Sequence, residues 1–398
     1  MAALVEAQTS RWASDAVAML RQDAATTIPV IDAVALAAAK SAWLRDGQDG
    51  SSAALDLWDM WPLQLADGAT AKVAGGSLWM ILSAPVLADS NLRHDIARIR
   101  LALERGGAWI DCGNALPDGL CPGTREWAGS AVLDPDRSEV TLYFTAAGRR
   151  GETRPSFAQR LFETVGSLVI DGEAVRITGW SDPAESLVAD GVRYVRVDAA
   201  TGAPGFIKGF RDPAYFRDPG DGAEYLLFTA SIPDAASDWN GAIGIARRDS
   251  RGGGGGGSWV ALDPLLRVDG LNNELERPHI VARDGLHYLF FSTQRRVFAP
   301  DGPNGPNGLY AMVADHVLGP YRPVNGSGLV AANPPDAPYQ SYSWWVTGEL
   351  DVAGFVEMPG LTSDPAGETA AVRRAHFGGV PAPRFQLVLD GDTARVTG

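Results

Sequence analysis

Cysteine is almost missing from this chain: two residues, Cys112 and Cys121, in 398. That excludes a disulfide scaffold as the source of stability. The pair flanks Pro117-Asp118-Gly119 and either closes one small loop or stays as two thiols. No histidine adjoins either one, which argues against a catalytic or metal role. Histidine is scarce too. His94, His279, His287, His316 and His376 are dispersed and have no metal-ligand spacing, so no metal or other cofactor is expected. Positive charge is in deficit, with 34 Lys+Arg against 48 Asp+Glu and a net charge of −14. Nucleic acid and anionic membrane surfaces call for a basic face, so neither is an expected partner. No apolar run is long enough to cross a bilayer. Met1 to Gln8 have neither a basic n-region nor a continuous apolar h-region, so they do not read as a cleaved signal peptide. What these absences leave is a soluble acidic protein suited to an uncharged ligand.

Glycine and proline are plentiful, at 46 and 26 residues, and supply turns. Between them lie strand-like runs: Leu78 to Leu82, Val140 to Phe144, Tyr225 to Phe228 and His287 to Phe291. Ser or Thr follows each of the last three within two residues. Their recurrence is a weak repeat of the kind that builds propeller blades, although a sandwich has the same signature. Asp284-Gly285 and Asp390-Gly391 are hairpin signals. Residues 1–50 read as a helical lead-in: Trp12, Ala16, Met19 and Leu20 recur at helical spacing, and Val34, Leu36, Ala39 and Leu44 do so more loosely. The glycine run from Arg251 to Ser258 lacks the Lys-Ser/Thr of a phosphate-binding loop and reads as a surface loop inside one unit.

Three acidic motifs stand far apart. Trp58-Asp59-Met60-Trp61 sets a carboxylate between two indoles. Phe210-Arg211-Asp212-Pro213 couples an Asp to an Arg. Glu274-Leu275-Glu276-Arg277-Pro278 sets two Glu on either side of one residue, beside an Arg. Cleaving a glycosidic bond takes a carboxylate nucleophile or base, a carboxylic acid and groups that hold hydroxyls. Indole faces suit the apolar faces of sugar rings. Taken singly, each motif also fits a solvated turn or a local ion pair. Arg217-Asp218-Pro219, followed by Gly220-Asp221-Gly222, is read as such a turn.

Together with Thr27-Ile28-Pro29-Val30-Ile31-Asp32, Arg125-Glu126-Trp127-Ala128-Gly129-Ser130-Ala131 and Gln340-Ser341-Tyr342-Ser343, these motifs run in one order along nearly the whole chain. In that order the sequence resembles glycoside hydrolase family 68, the levansucrases, inulosucrases and bacterial β-fructofuranosidases. The resemblance implies an all-β, five-bladed propeller with its active site in the central funnel, one catalytic domain over 1–398 with the lead-in packed on it. It implies retaining cleavage of sucrose, with transfer of fructosyl to sugars, growing fructan or water. By the same resemblance Asp59 is the nucleophile, Asp212 the transition-state stabiliser and Glu276 the acid/base. Trp58, Trp127, Arg211, Glu274, Arg277 and Tyr342 then line the sucrose pocket. Positions two apart in a strand point to the same face, so Glu274 is a candidate like-charge neighbour of Glu276. Sucrose, glucose, fructose and fructan are the implied ligands.

The chain departs from the family pattern at several positions. Ala128 stands where many members have Ser, so Asp59 needs another orienting bond. Thr229 stands where many levansucrases have Glu. Asn273 replaces the Asp of calcium-binding members. Gln294-Arg295-Arg296 fills a variable segment, where Arg295 or Arg296 is expected to meet the acceptor sugar. Glu126 is a candidate ion-pair partner of Arg125. A sucrose hydrolase with the same site, and a non-catalytic sugar-binding propeller, are the alternative readings. The expected location is outside the cell, reached without a cleaved leader.

Overall fold

The computed structural model describes residues 6–43, 54–172, 174–198, 206–249 and 257–397. Leu44 and most of the glycine run lie outside the described residues, but the run's flanks, Arg248 and Trp259, pair antiparallel in one sheet. That is the expected connection within one unit.

Strand dominates over helix. The strands form five antiparallel groups, opened by Leu55–Gln64, Arg125–Asp134, Phe210–Arg217, Glu276–Arg283 and Ser341–Val346. In each group the second strand returns beside the first: Gly76–Pro85, Glu139–Ala147, Glu224–Ser231, Leu286–Thr293 and Asp351–Val356. The first two groups are joined where Leu63 and Gln64 run parallel to Ala131 and Val132. The five first strands touch in cyclic order, and the fifth touches the first.

All four strand-like runs of the sequence are second strands. Their continuous apolar character follows from burial on both faces. Leu226, Leu227 and Phe228 are fully buried, as are Leu289, Phe290 and Phe291. Each such side chain contributes about 1.5–3 kcal/mol by leaving water. The Ser and Thr that close these strands have a circumferential role. Thr145 Oγ1 accepts from the Asp212 amide at 2.9 Å, Thr229 Oγ1 lies 2.9 Å from the Leu275 carbonyl, and Ser292 Oγ accepts from the Trp344 amide at 3.1 Å. Each contact reaches from one group to the first strand, or its approach, in the next.

The lead-in is less helical than the spacing suggests. Helices cover Ser14–Ala18 and Ala33–Trp43, but Ser10–Arg11 is a strand that pairs parallel with Leu266–Arg267. Trp12 explains the arrangement. It is fully buried, its indole donates to the Ser327 carbonyl at 2.9 Å, and Phe291, Phe298 and Tyr310 surround it. Met19, by contrast, is exposed. Both hairpin signals hold. Asp284 and Gly285 take φ of 52° and 79° as the two turn residues, and Gly391 (φ 58°) turns the last hairpin, with Asp390 pairing with Thr393.

Candidate active site

Every first strand carries one extra residue relative to its partner. The register slips at Trp58/Met60, Trp127/Gly129, Arg211/Ala214, Glu276/His279 and Tyr342/Trp345. A bulge bends a strand and re-aims its side chains. Asp59, Ala128, Asp212, Arg277 and Ser343 are therefore equivalent positions, each one residue after Trp58, Trp127, Arg211, Glu276 or Tyr342. Four of the five, Asp59, Asp212, Arg277 and Ser343, have positive φ (23°, 58°, 53° and 58°) without being glycine. Such backbone costs about 1–3 kcal/mol per residue and persists where the surroundings enforce it, commonly at functional sites. The second group differs. Its bulge residue is Ala128, and Gly129 beside it lets the backbone pass, because a Cβ there would meet the Tyr143 carbonyl oxygen at 1.9 Å.

The bulges converge on one charged cluster. Arg211 Nη2 donates to Glu274 Oε2 at 2.7 Å and to Glu276 Oε1 at 2.9 Å. Tyr342 Oη donates to the other oxygen of Glu276 at 2.6 Å. Asp212 Oδ2 accepts from the Arg277 amide at 3.2 Å and faces the Thr229 hydroxyl at 3.0 Å. That hydroxyl has one proton to divide between Asp212 and the Leu275 carbonyl. Asp59 bonds to the Ser343 side chain. Ser343 thus orients Asp59 where Ala128 offers no hydroxyl. Arg277 is buried between Trp61 and Trp345, whose ring centroids lie 5.6 and 5.4 Å from its guanidinium carbon. It donates to the Met60 carbonyl at 2.7 Å and to Ser343 Oγ at 3.0 Å. Both terminal nitrogens of its guanidinium are taken by protein groups, while its Nε has no partner among the described residues.

Burial raises the carboxylates. It pushes Asp59 above the ordinary range, against the pull of Arg277 and Ser343. Asp212 is pushed up to about 6 by burial, against Arg211 and helped by Glu276 and Asp59. Glu274 rises for the same first cause, with Arg211 opposing. Burial disfavours the Arg211 charge, yet Glu274, Glu276 and Asp212 together outweigh it and hold the guanidinium protonated. Tyr342 is raised far above 10 by burial and by Glu276, so it stays a donor.

The predicted walls are held by a residue that sequence reasoning missed. Trp58 is fully buried with its ring 5.6 Å from that of His94, and Trp127 donates its indole N–H to the His94 carbonyl at 3.0 Å. Burial, Arg93 and Arg296 keep His94 neutral. Glu357, just past the Asp351–Val356 strand, was also missed. It is pushed up to about 7 by burial, against Arg93 and Arg296. Arg295 and Arg296 are exposed in a turn at 295–297. The Arg296 charge acts on His94, Glu274 and Glu357, and both Arg295 and Arg296 act on Tyr339. Buried donors with no hydrogen-bond partner among the described residues include Arg211 Nη1 and Trp58 Nε1. Donors left this way cost about 1–3 kcal/mol each.

Some expectations change. Glu126 pairs with Arg98 at 2.8 Å, not with Arg125, which pairs with Glu152. Cys112 and Cys121 are both free thiols, and burial pushes Cys121 up to about 12, an inert state. Asp218 lies in a turn, as its motif suggests.

The sequence matches the family described as Levansucrase/Invertase over residues 2–237 and 230–397. A levansucrase LscC of Pseudomonas savastanoi pv. glycinea is 32% identical over 380 residues, covering 85% of this chain and 82% of its own length. An inulosucrase from Halalkalicoccus jeotgali, solved bound to kestose, is 37% identical with a TM-score of 0.85, and the match covers 98% of this chain and 96% of that one. The catalytic domain of a β-fructofuranosidase from Microbacterium saccharophilum has the same fold, with a TM-score of 0.79 at 23% identity, covering 98% of this chain and 91% of that one. With its bulges, its carboxylates and these relatives agreeing, the chain belongs to the levansucrase/invertase family, glycoside hydrolase family 68, and is an enzyme that acts on sucrose.

Proposed function

We propose that this enzyme is a levansucrase-type β-fructosyltransferase, built as a single five-bladed propeller domain with its site in the central funnel. The observation that carries the reading is the set of carboxylates on equivalent bulges: Asp59, Asp212 and Glu276 in three of five cyclically arranged first strands, with Arg211 bonded to both Glu274 and Glu276. Asp59 attacks the anomeric carbon of the fructosyl unit while Glu276 gives its proton to the bridging oxygen, so glucose leaves as a neutral alcohol. Glu276 then takes the proton of an incoming hydroxyl, whose oxygen displaces Asp59 from the fructosyl carbon. Asp212, held by the Arg277 amide and Thr229, accepts hydrogen bonds from the fructosyl hydroxyls, and these strengthen as positive charge builds on the ring. Trp58 and Trp127 wall the sugar and exclude water.

Sugar rather than water as the main acceptor is supported by the relatives at 30% identity or more, such as the levansucrases and the inulosucrase. Concentrated sucrose separates the two outcomes. We expect glucose in excess of free fructose, with the missing fructose in oligosaccharide or polymer. Equal amounts at every sucrose concentration would make this a hydrolase. We read the enzyme as extracellular, where sucrose and fructan are met, and expect it in the culture medium of its source; confinement to the lysate would contradict that.

A further inference from the structure

Lys208 lies just ahead of the Phe210–Arg217 strand, with its ammonium 4.6 Å from the centre of the Phe206 ring. It donates to Asn240 Oδ1 at 2.7 Å, to Asn273 Oδ1 at 2.8 Å and to the Asp238 carbonyl. Three acceptors use all three protons of an ammonium. They come from two other segments: the turn before the Gly241–Arg248 strand and the approach to the Glu276–Arg283 strand. The turn is itself fixed, because Asn240 donates to the Ile232 carbonyl at 2.6 Å and the Gly241 amide donates to the Asn272 carbonyl at 2.9 Å.

The contact with Asn273 has a consequence for Glu274. An ammonium only donates, so Asn273 must present its oxygen to Lys208 and its amide nitrogen the other way. That nitrogen donates to the Ile207 carbonyl at 2.9 Å and to Glu274 Oε1 at 3.1 Å. Glu274 Oε2 then accepts from Arg211 Nη2, the nitrogen that also holds Glu276. The path from Lys208 to the acid/base is one unbroken chain of polar contacts.

We propose that Lys208 is a positioning residue for sucrose: a built-in cation that fixes the Asn273 amide and so aims Glu274 at the leaving glucose. This rests on the sucrose reading above. Lys208 touches no sugar, and its effect runs through Asn273.

Two variants test it. Lys208→Met keeps the length of the side chain and removes the cation. Asn273→Asp keeps an oxygen for Lys208 and removes the donor to Glu274. Both should raise the KM for sucrose by about 5–10-fold, with kcat falling much less. An aryl β-fructofuranoside, which has no glucose for Glu274 to hold, should lose far less kcat/KM than sucrose does. Thermal melting shows whether each variant is folded at the assay temperature. A lowered melting temperature with sucrose kinetics unchanged, or equal losses on both substrates, would reduce Lys208 to a structural staple and overturn the proposal. A wild-type protein that releases no glucose from sucrose overturns the underlying reading instead, before any variant is made.

Discussion

The floor of the site and its rim are built by different means. The floor consists of bulged first strands, where Asp59, Asp212, Arg277 and Ser343 sit in strained backbone and direct hydrogen bonds tie the Asp212 and Arg277 amides and side chains to neighbouring groups. The rim consists of segments that follow second strands: Arg93 and His94, Arg295 and Arg296, and Glu357. There, charges act on one another across space with few direct bonds. A floor that stabilises a transition state must be rigid before substrate arrives. On the proposed reading, the rim is where acceptors of different shape would be received.

The largest effects should come from the floor. Asp59→Asn, Asp212→Asn and Glu276→Gln should each lower turnover of sucrose by about 10³-fold or more while the protein still folds, since each removes a charge or proton that the reaction needs. A variant retaining about a tenth of wild-type turnover would lose its assigned role.

Ser343→Ala comes next. It removes the orienting bond to Asp59 and one bond to Arg277. A bond to a charged group is worth about 1.5–3 kcal/mol, so kcat should fall by roughly 10–100-fold. An unchanged kcat would mean that Asp59 is oriented by another group.

At the rim the expected effect is on partition, not rate. Arg296→Ala should shift products several-fold towards free fructose, because an acceptor contact worth ~1 kcal/mol competes against water. Glucose release should change less. Arg295→Ala should shift the products less than Arg296→Ala does, because the Arg296 charge also acts on His94, Glu274 and Glu357. Equal ratios in both variants and wild type would return the pair to solvated surface.

The last effect is on stability, with the chemistry untouched. Glu357 and Asp212 both have folded values raised above the unfolded ones, to about 7 and about 6. The folded state therefore binds more protons between the ordinary carboxylate range and those values, and stability is lost as pH rises through them. Glu357→Gln removes one such group. It should stabilise the protein by about 1–3 kcal/mol near pH 8, and the gain should vanish as pH falls to about 4–5, read from melting curves. A gain independent of pH would mean that the Glu357 charge is not the cause.

The same contrast explains what could be read in the sequence. Trp58-Asp59, Arg211-Asp212, Glu276-Arg277 and Tyr342-Ser343 are legible because bulge, strain and chemistry are packed into adjacent residues. So are the second strands, whose burial on both faces leaves an uninterrupted apolar run. Their closing Ser and Thr were visible as a pattern, but bonds such as that from Thr145 to the Asp212 amide depend on which group lies next in the ring. His94 and Glu357 had no local signal. His94 comes from the connection after the Gly76–Pro85 strand, which folds back on Trp58 in the same group, and Glu357 comes from beyond the Asp351–Val356 strand, where closure of the ring brings its charge to act with that of Asp59. The lead-in misled because Trp12 has helical spacing to Ala16, yet its indole docks on the Ser327 carbonyl and leaves Ser10–Arg11 extended.

The central claim is that Asp59 carries the fructosyl group between donor and acceptor. Glu276→Gln incubated with an aryl β-fructofuranoside tests it most directly, since such a leaving group needs no proton but the second step still needs the base. Mass spectrometry of the digested protein should find one anhydrofructosyl unit on the peptide that contains Asp59, and none when Asp59→Asn is added. Label on another residue, or release of the aryl group with no covalent adduct and inverted product, would contradict the account.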